Sequence, residues 1–288
     1  MTQPAFGRRV TRWYAGAARD LPWRAADVSP WGVLVSEAML QQTPVARVRP
    51  AWLAWMSRWP SPAALAAAPA GEAVRAWGRL GYPRRALRLH AAATAIVERH
   101  GGAVPSSVED LQALPGVGNY TAAAVAAFAF GASTAVLDTN VRRVYARVFD
   151  GVANATGTPT ASERTAALER LPAVDAPTYS VAVMELGAVV CVARSPKCTS
   201  CPVRSDCRWL ASGRPAPEVA RRGQSYVGTD RQARGRLLGV LRESVEPVAA
   251  AALDVVWHDP AQRARALDGL VADGLVEPLA DGRYRLPA

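Results

Sequence analysis

The chain of 288 residues contains a single lysine, Lys197. The other 33 of its 34 basic side chains are arginines, so chemistry that depends on a lysine amine has almost nothing to draw on. A GC-rich coding sequence accounts for the choice of arginine over lysine, but not for a net charge of +10. That excess points to an anionic partner. Cysteine is missing everywhere except between residues 191 and 207. A secreted disulfide scaffold, whose cysteines are spread along the chain, is thereby excluded. Long apolar runs are missing too. The best stretch, residues 121–137, is mostly alanine and is broken by Gly131, Ser133 and Thr134, which suits a buried helix better than a membrane span. No secretory leader is legible in residues 1–20, and no repeat of solenoid period occurs. A cytoplasmic protein with no membrane partner is expected.

What is present describes a folded, basic protein. Hydrophobic residues make up 50% and charged residues 20%, well away from disorder. The charge is unevenly placed: residues 1–213 carry 23 basic and 14 acidic side chains, whereas residues 214–288 carry 11 and 10. The anion-binding surface therefore belongs to the larger N-terminal part. Nucleic acid fits it better than a membrane, because no continuous basic amphipathic segment is evident.

The pattern is mainly helical. Helices are predicted over residues 31–43, 62–68, 71–80, 84–99, 119–130, 140–149, 159–170 and 178–190, with Pro44 ending the first and Gly131 capping 119–130. Residues 213–230, rich in Gly, Pro and Arg, read as a linker. Beyond it, helices over 232–243 and 260–272 precede an alternating stretch, 276–286, with Asp281-Gly282 at its centre as a hairpin signal. Helices followed by a hairpin wing resemble a winged-helix module, whose near-neutral charge suits packing or protein contact at least as well as DNA reading.

Three constellations carry chemistry. In Leu114-Pro-Gly116-Val117-Gly118, two glycines let the backbone turn tightly before a helix whose free N–H groups and positive dipole end face the turn. This is a phosphate site that needs no lysine, although an ordinary helix-to-helix turn would look the same. Cys191, Cys198, Cys201 and Cys207 form a C-x6-C-x2-C-x5-C array. Four thiolates suit either zinc or a [4Fe–4S] cluster, but the outer spacings are not those of paired zinc knuckles. Finally, Glu37 lies in Val35-Ser-Glu-Ala-Met-Leu-Gln-Gln-Thr43 among apolar neighbours, where burial would keep its carboxyl protonated near neutral pH. Asp138, in Leu137-Asp-Thr-Asn140-Val-Arg-Arg143, reads as a helix N-cap, or as the ionised partner that glycoside hydrolysis requires.

Together, the hairpin, the cysteine array and the S-E-x-M-L-Q-Q-T segment resemble the iron–sulfur, helix-hairpin-helix DNA glycosylases typified by endonuclease III, and within them the adenine DNA glycosylases of the MutY type. The resemblance spans roughly residues 8–209. It implies a [4Fe–4S] cluster on the four cysteines, with a structural and DNA-contacting role, and double-stranded DNA with a mismatched adenine as the partner of a monomer. By the same resemblance Glu37 protonates the departing adenine and Asp138 stabilises or traps the sugar cation. Tyr120 and Asn140 position these groups, Gln42 and Tyr82 fill the vacated stack, and Arg19, Leu21 and Trp23 help enclose the base. Members that also nick the strand carry a lysine where this chain has Tyr120, so a monofunctional enzyme that leaves an abasic site is expected.

The implied fold is all-α and two-lobed, with a cluster loop. Residues 1–24 and 132–212 form the cluster lobe, 25–131 a six-helix barrel with the hairpin, 213–230 a linker, and 231–288 a small winged-helix-like α+β module. The active site is expected between the lobes. Two features depart from the family pattern. Val181 stands where many relatives place a polar, base-contacting side chain. Residues 231–288 are too few for the usual domain that helps recognise 8-oxoguanine, which leaves the choice between 8-oxoguanine and guanine open. The alternatives are a thymine or uracil mismatch glycosylase on the same fold, and a non-catalytic DNA clamp.

Overall fold

A computed structural model describes residues 3–217 and 226–288. The expected linker therefore lies partly outside the described residues. In chain order the helices are α1 (Gln3–Ala17), α2 (Pro30–Leu40), α3 (Val45–Arg58), α4 (Pro62–Ala66), α5 (Ala70–Trp77), α6 (Arg84–His100), α7 (Val108–Gln112), α8 (Asn119–Phe130), α9 (Thr139–Tyr145), α10 (Ala161–Glu169), α11 (Ala176–Val189), α12 (Arg208–Ala211), α13 (Asp230–Glu243), α14 (Ala250–Asp254) and α15 (Pro260–Ala272). Among the described residues three short strands, β1 (Val248–Ala249), β2 (Glu277–Pro278) and β3 (Arg283–Arg285), all lie near the C-terminus. Among the described residues no helix is long and apolar enough to cross a membrane.

The described residues form two compact units. One comprises 3–24, 106–111 and 118–217. Its core packs α11 against α1 and α9 through Phe6, Val10, Val141, Val144, Tyr179, Val183 and Leu186. Helix α8 is grouped with this unit by its contacts. Its alanine face, Ala123, Ala124 and Ala127, closes on Val136 with Met184 alongside, and small side chains let those backbones approach. Gly131, at φ 72°, ends α8 as expected. After α9 the chain makes one π-helical turn, Ala146–Asp150, a local widening frequent at functional sites.

The other unit comprises 25–105, 112–117 and 226–288. Ser29 starts α2 by accepting the Gly32 N–H at 3.2 Å, with Pro30 at the first helical position. The predicted 31–43 helix stops at Leu40, because Gln42 takes a left-handed backbone with φ 56°. Helix α3 was hidden from sequence reading by Pro44 and the internal Pro50. Tryptophan packing compensates: Trp55 meets Trp59 and Trp77 edge-on at 4.7 and 5.7 Å between ring centroids. Trp52 Nε1 donates to the Gly32 carbonyl at 2.9 Å.

The C-terminal module lies within this second unit. Helix α13 packs on α15, and the sheet has the order β1-β3-β2 with both pairs antiparallel. Helices preceding a hairpin wing match the winged-helix expectation. Several of its arginines are paired locally: Arg263 with Asp254 at 2.8 Å, Arg283 with Asp281 at 2.7 Å, and Arg285 with Glu277 at 2.9 Å. The module is seated on α5. The Gly71 N–H donates to the Pro287 carbonyl at 2.7 Å, Arg75 to the carbonyls of Arg242 and Ser244, and Arg242 to that of Val74 at 2.9 Å.

Candidate active site

Asp138 caps α9. Its Oδ1 accepts the backbone N–H groups of Asn140 and Val141 at 2.9 and 2.6 Å, and its Oδ2 accepts Asn140 Nδ2 at 2.6 Å. Burial raises the carboxyl above its ordinary value. The hydrogen bonds from Val141 and Asn140, and the charge of Arg143, pull the other way. Asn140 is itself held, because its Oδ1 accepts Arg143 Nη2 at 2.7 Å. The same guanidinium donates to the carbonyls of Gly187 and Cys191, both at 2.7 Å. The aspartate is thus tied through two side chains to the segment that opens the cysteine loop. A Cβ on Gly187 would sit 2.7 Å from the Cβ and carbonyl oxygen of Asn140, so no larger residue fits there. Tyr120, partly buried, packs against the alanine face of α8.

Glu37 lies in α2, 5% exposed, within a run that is buried from Trp31 to Glu37. Just beyond the helix, Gln42 is exposed, and Tyr82 Oη donates to its Oε1 at 2.7 Å. Both residues have left-handed backbones, φ 56° and 48°. For residues with a Cβ that conformation costs about 1–2 kcal/mol each and persists only where the surroundings enforce it. The two residues expected to fill a vacated base stack are therefore exposed, strained and bonded to each other.

The hairpin glycines divide the work expected of them. Gly116, at φ 77°, is needed internally, since a Cβ there would meet the Arg88 side chain at 2.6 Å. Gly118 is the open position. A Cβ there would meet nothing within 4 Å, and Gly118 caps α8 without any side-chain hydrogen bond. Val117, partly buried, closes the turn by donating to the Leu114 carbonyl at 3.2 Å.

Arg19 is engaged by a residue that the sequence reading passed over. Its Nε and Nη2 donate to the two oxygens of Glu185 at 2.6 and 2.8 Å, and Arg24 adds a third contact at 3.0 Å. Burial pushes Glu185 upward, but the two arginines outweigh it and hold the carboxyl below its ordinary value. Leu21 and Trp23 are buried beside this pair in sequence, Trp23 in the short turn Pro22–Arg24. The available signal was charge: Glu185 is the only charged residue in the fourteen of α11.

The four cysteines border one pocket, walled by Val144, Leu186, Val190, Val203 and Trp209. Arg147, buried in the π-helical turn, braces it. Its guanidinium donates to Cys191 Sγ at 3.4 Å and to the Val192 carbonyl at 2.8 Å, and stacks 4.4 Å from the Trp209 ring. Burial, reinforced by the other three cysteines, pushes the Cys201 thiol up to about 11, and burial also raises Cys207. Such thiols keep their protons until a metal displaces them. Among the described residues no three or more His, Cys, Asp or Glu side chains are gathered tightly enough for a single metal ion. An apolar-walled cavity with thiols at its margin fits a cluster that takes one thiolate at each corner.

Comparison with known proteins agrees with this geometry. Residues 35–172 match the HhH-GPD superfamily base excision DNA repair proteins, and residues 191–207 match the iron–sulfur binding domain of endonuclease III. The chain is 58% identical to the adenine DNA glycosylase of Mycolicibacterium smegmatis, over 95% of this chain and 93% of that one. It is 54% identical to the adenine DNA glycosylase of Mycobacterium tuberculosis, over 96% and 91%. Among solved structures, a thermostable thymine-DNA glycosylase superposes with a TM-score of 0.68 at 26% identity, covering 73% of this chain and 97% of that one.

Proposed function

The chain belongs to the adenine DNA glycosylases of the HhH-GPD base excision repair superfamily, and from that premise we propose that it excises adenine mispaired with 8-oxoguanine or guanine, leaving an abasic site. The observation that carries the chemistry is that both carboxyls of a two-carboxyl glycosidase are present and sheltered, Glu37 in a buried helix and Asp138 in a fixed amide network. Glu37 protonates N7 of the extruded adenine, which turns the base into a better leaving group. Asp138, ionised, stabilises the oxocarbenium-like sugar or traps it covalently, and water completes the hydrolysis. Asn140 orients Asp138, and Tyr120 lines the same chemistry.

DNA is held without lysine. The open N-terminus of α8 at Gly118 and the arginine-rich N-terminal part supply the phosphate contacts. Gln42 and Tyr82 enter the stack as the base leaves, and Arg19, Leu21 and Trp23 help enclose it. Cys191, Cys198, Cys201 and Cys207 hold a [4Fe–4S] cluster. When bound, the cluster cross-links the loop and supplies no step of bond cleavage. With Tyr120 where lyase members carry a lysine, and the single lysine, Lys197, in the cluster loop, no side-chain amine stands at the lyase position, so the enzyme is monofunctional. It acts as a monomer on chromosomal DNA.

Single-turnover reaction on duplexes containing A:8-oxoG, A:G, T:G and U:G tests this reading. Alkali-labile product from the two adenine duplexes is expected. Reaction confined to T:G or U:G would replace it with a pyrimidine mismatch enzyme, and strand nicking without alkali would overturn monofunctionality.

A further inference from the structure

The strained pair Gln42 and Tyr82 has a common support that neither the family match nor the two-carboxyl chemistry accounts for. Arg85, in the first turn of α6, is only 8% exposed. Its Nη1 donates to three carbonyls at the end of α2: Ala38 at 2.8 Å, Met39 at 3.2 Å and Gln41 at 2.7 Å. Its Nη2 donates to Thr43 Oγ1 and to the Gly81 carbonyl, both at 3.1 Å. One guanidinium therefore grips the residue on each side of Gln42 and the residue just before Tyr82. Thr43 Oγ1 completes the link by donating to the Leu80 carbonyl at 3.1 Å. The guanidinium also lies 5.2 Å from the Trp77 ring and 5.3 Å from the Tyr82 ring.

The placement explains three local facts together. The last carbonyls of a helix lack intrahelical partners and carry partial negative charge, so a buried cation there ends α2 at Leu40. With Gln41 and Thr43 held on either side, Gln42 between them is turned into the left-handed region and outward. With Gly81 held as well, Tyr82 is turned in the same way and meets Gln42. A lysine could not do this, since a point charge lacks the planar fork that reaches two segments at once.

We propose that Arg85 is a positioning residue that sets the Gln42–Tyr82 pair in its base-replacing posture and locks it to the end of the helix bearing Glu37. This rests on the reading of that pair as the element that fills the vacated stack. Arg85 acts on base extrusion through Gln42 and Tyr82, without contacting DNA or the reacting atoms itself.

The test uses the full, cluster-loaded protein and a duplex with 2-aminopurine in the adenine position, whose fluorescence rises on unstacking. Arg85→Lys is expected to lower the extrusion equilibrium about ten- to a hundredfold, the equivalent of one charge-assisted hydrogen bond. In a Gln42→Ala/Tyr82→Ala background the same substitution is expected to have little further effect, because the pair it positions is gone. Equal losses in both backgrounds, or full extrusion by Arg85→Lys, would overturn the proposal. If Arg85→Lys does not fold, Thr43→Val, which removes the shared hydroxyl, decides in the same cycle. A flat signal from the unsubstituted protein would instead overturn the extrusion reading itself.

Discussion

Asn140 Nδ2 donates to Asp138 Oδ2 at 2.6 Å while its Oδ1 accepts Arg143 Nη2 at 2.7 Å. The amide is therefore fixed in one orientation and always presents its donor to the aspartate. That bond stabilises the ionised carboxylate against the burial that raises its pKa.

Replacing Asn140 by Ala removes a group that lowers the pKa of Asp138, so that pKa rises. If Asp138 must be ionised, activity is lost as pH falls through its pKa. The acid limb of the single-turnover pH profile should therefore move to higher pH, with the rate at neutral pH reduced about ten- to a hundredfold for one charged hydrogen bond. An acid limb that stays in place would remove Asp138 from the rate-determining ionisations.

Glu185→Gln leaves Arg19 and Arg24 without their shared buried carboxylate. Breaking such a pair costs about 3 kcal/mol, the low end of the usual range because Arg19 is itself 36% exposed. The sign with pH follows from the depressed pKa of Glu185. Its contribution is present above the unfolded carboxyl pKa and is lost as pH falls through the lower folded value. The stability gap between the two proteins in urea melts should be widest at neutral pH and close on acidification. A gap independent of pH would contradict the ion-pair account.

Cys201→Ser, or oxidative removal of the cluster, should abolish the broad visible absorption and the bound iron together, and lower the thermal midpoint. The loop from Cys191 to Cys207 would then be held chiefly by Arg147 and by backbone hydrogen bonds. Zinc in place of iron in anaerobically purified protein would reassign the site.

Gly71→Ala should loosen the C-terminal module. A Cβ there would collide with the Pro287 carbonyl and lie 2.8 Å from Leu286 Cβ. Overpacking of this kind costs about 1–3 kcal/mol. Because Arg234, Arg263, Arg283 and Arg285 are already paired with acids, DNA affinity at fixed salt should change little while limited proteolysis of residues 226–288 accelerates. A large loss of DNA affinity would make the module a DNA reader.

Much of the site was legible because its chemistry is local in sequence. The cysteine spacing, the glycine turn before α8, and the Asp138-x-Asn140 cap each lie within a few residues, and short segments fix their own geometry. Arg85 and Glu185 were not legible in that way. Arg85 follows another arginine and acts on residues about forty positions away. Glu185 is completed by arginines more than 160 positions before it.

The near-absence of lysine was settled by the sequence alone. It leaves Lys197 as the one lysine amine the chain can offer, because no packing can place a lysine at position 120, where the sequence has tyrosine. Arginine's role was decided only by the tertiary structure. The residue type that gives the chain its positive charge also serves, at Arg85, Arg143 and Arg147, as an internal clamp on carbonyls, an amide and a thiol. Which arginines meet solvent and which are buried depends on contacts between distant segments, and burial changes a guanidinium from a mobile surface charge into a fixed multidentate donor.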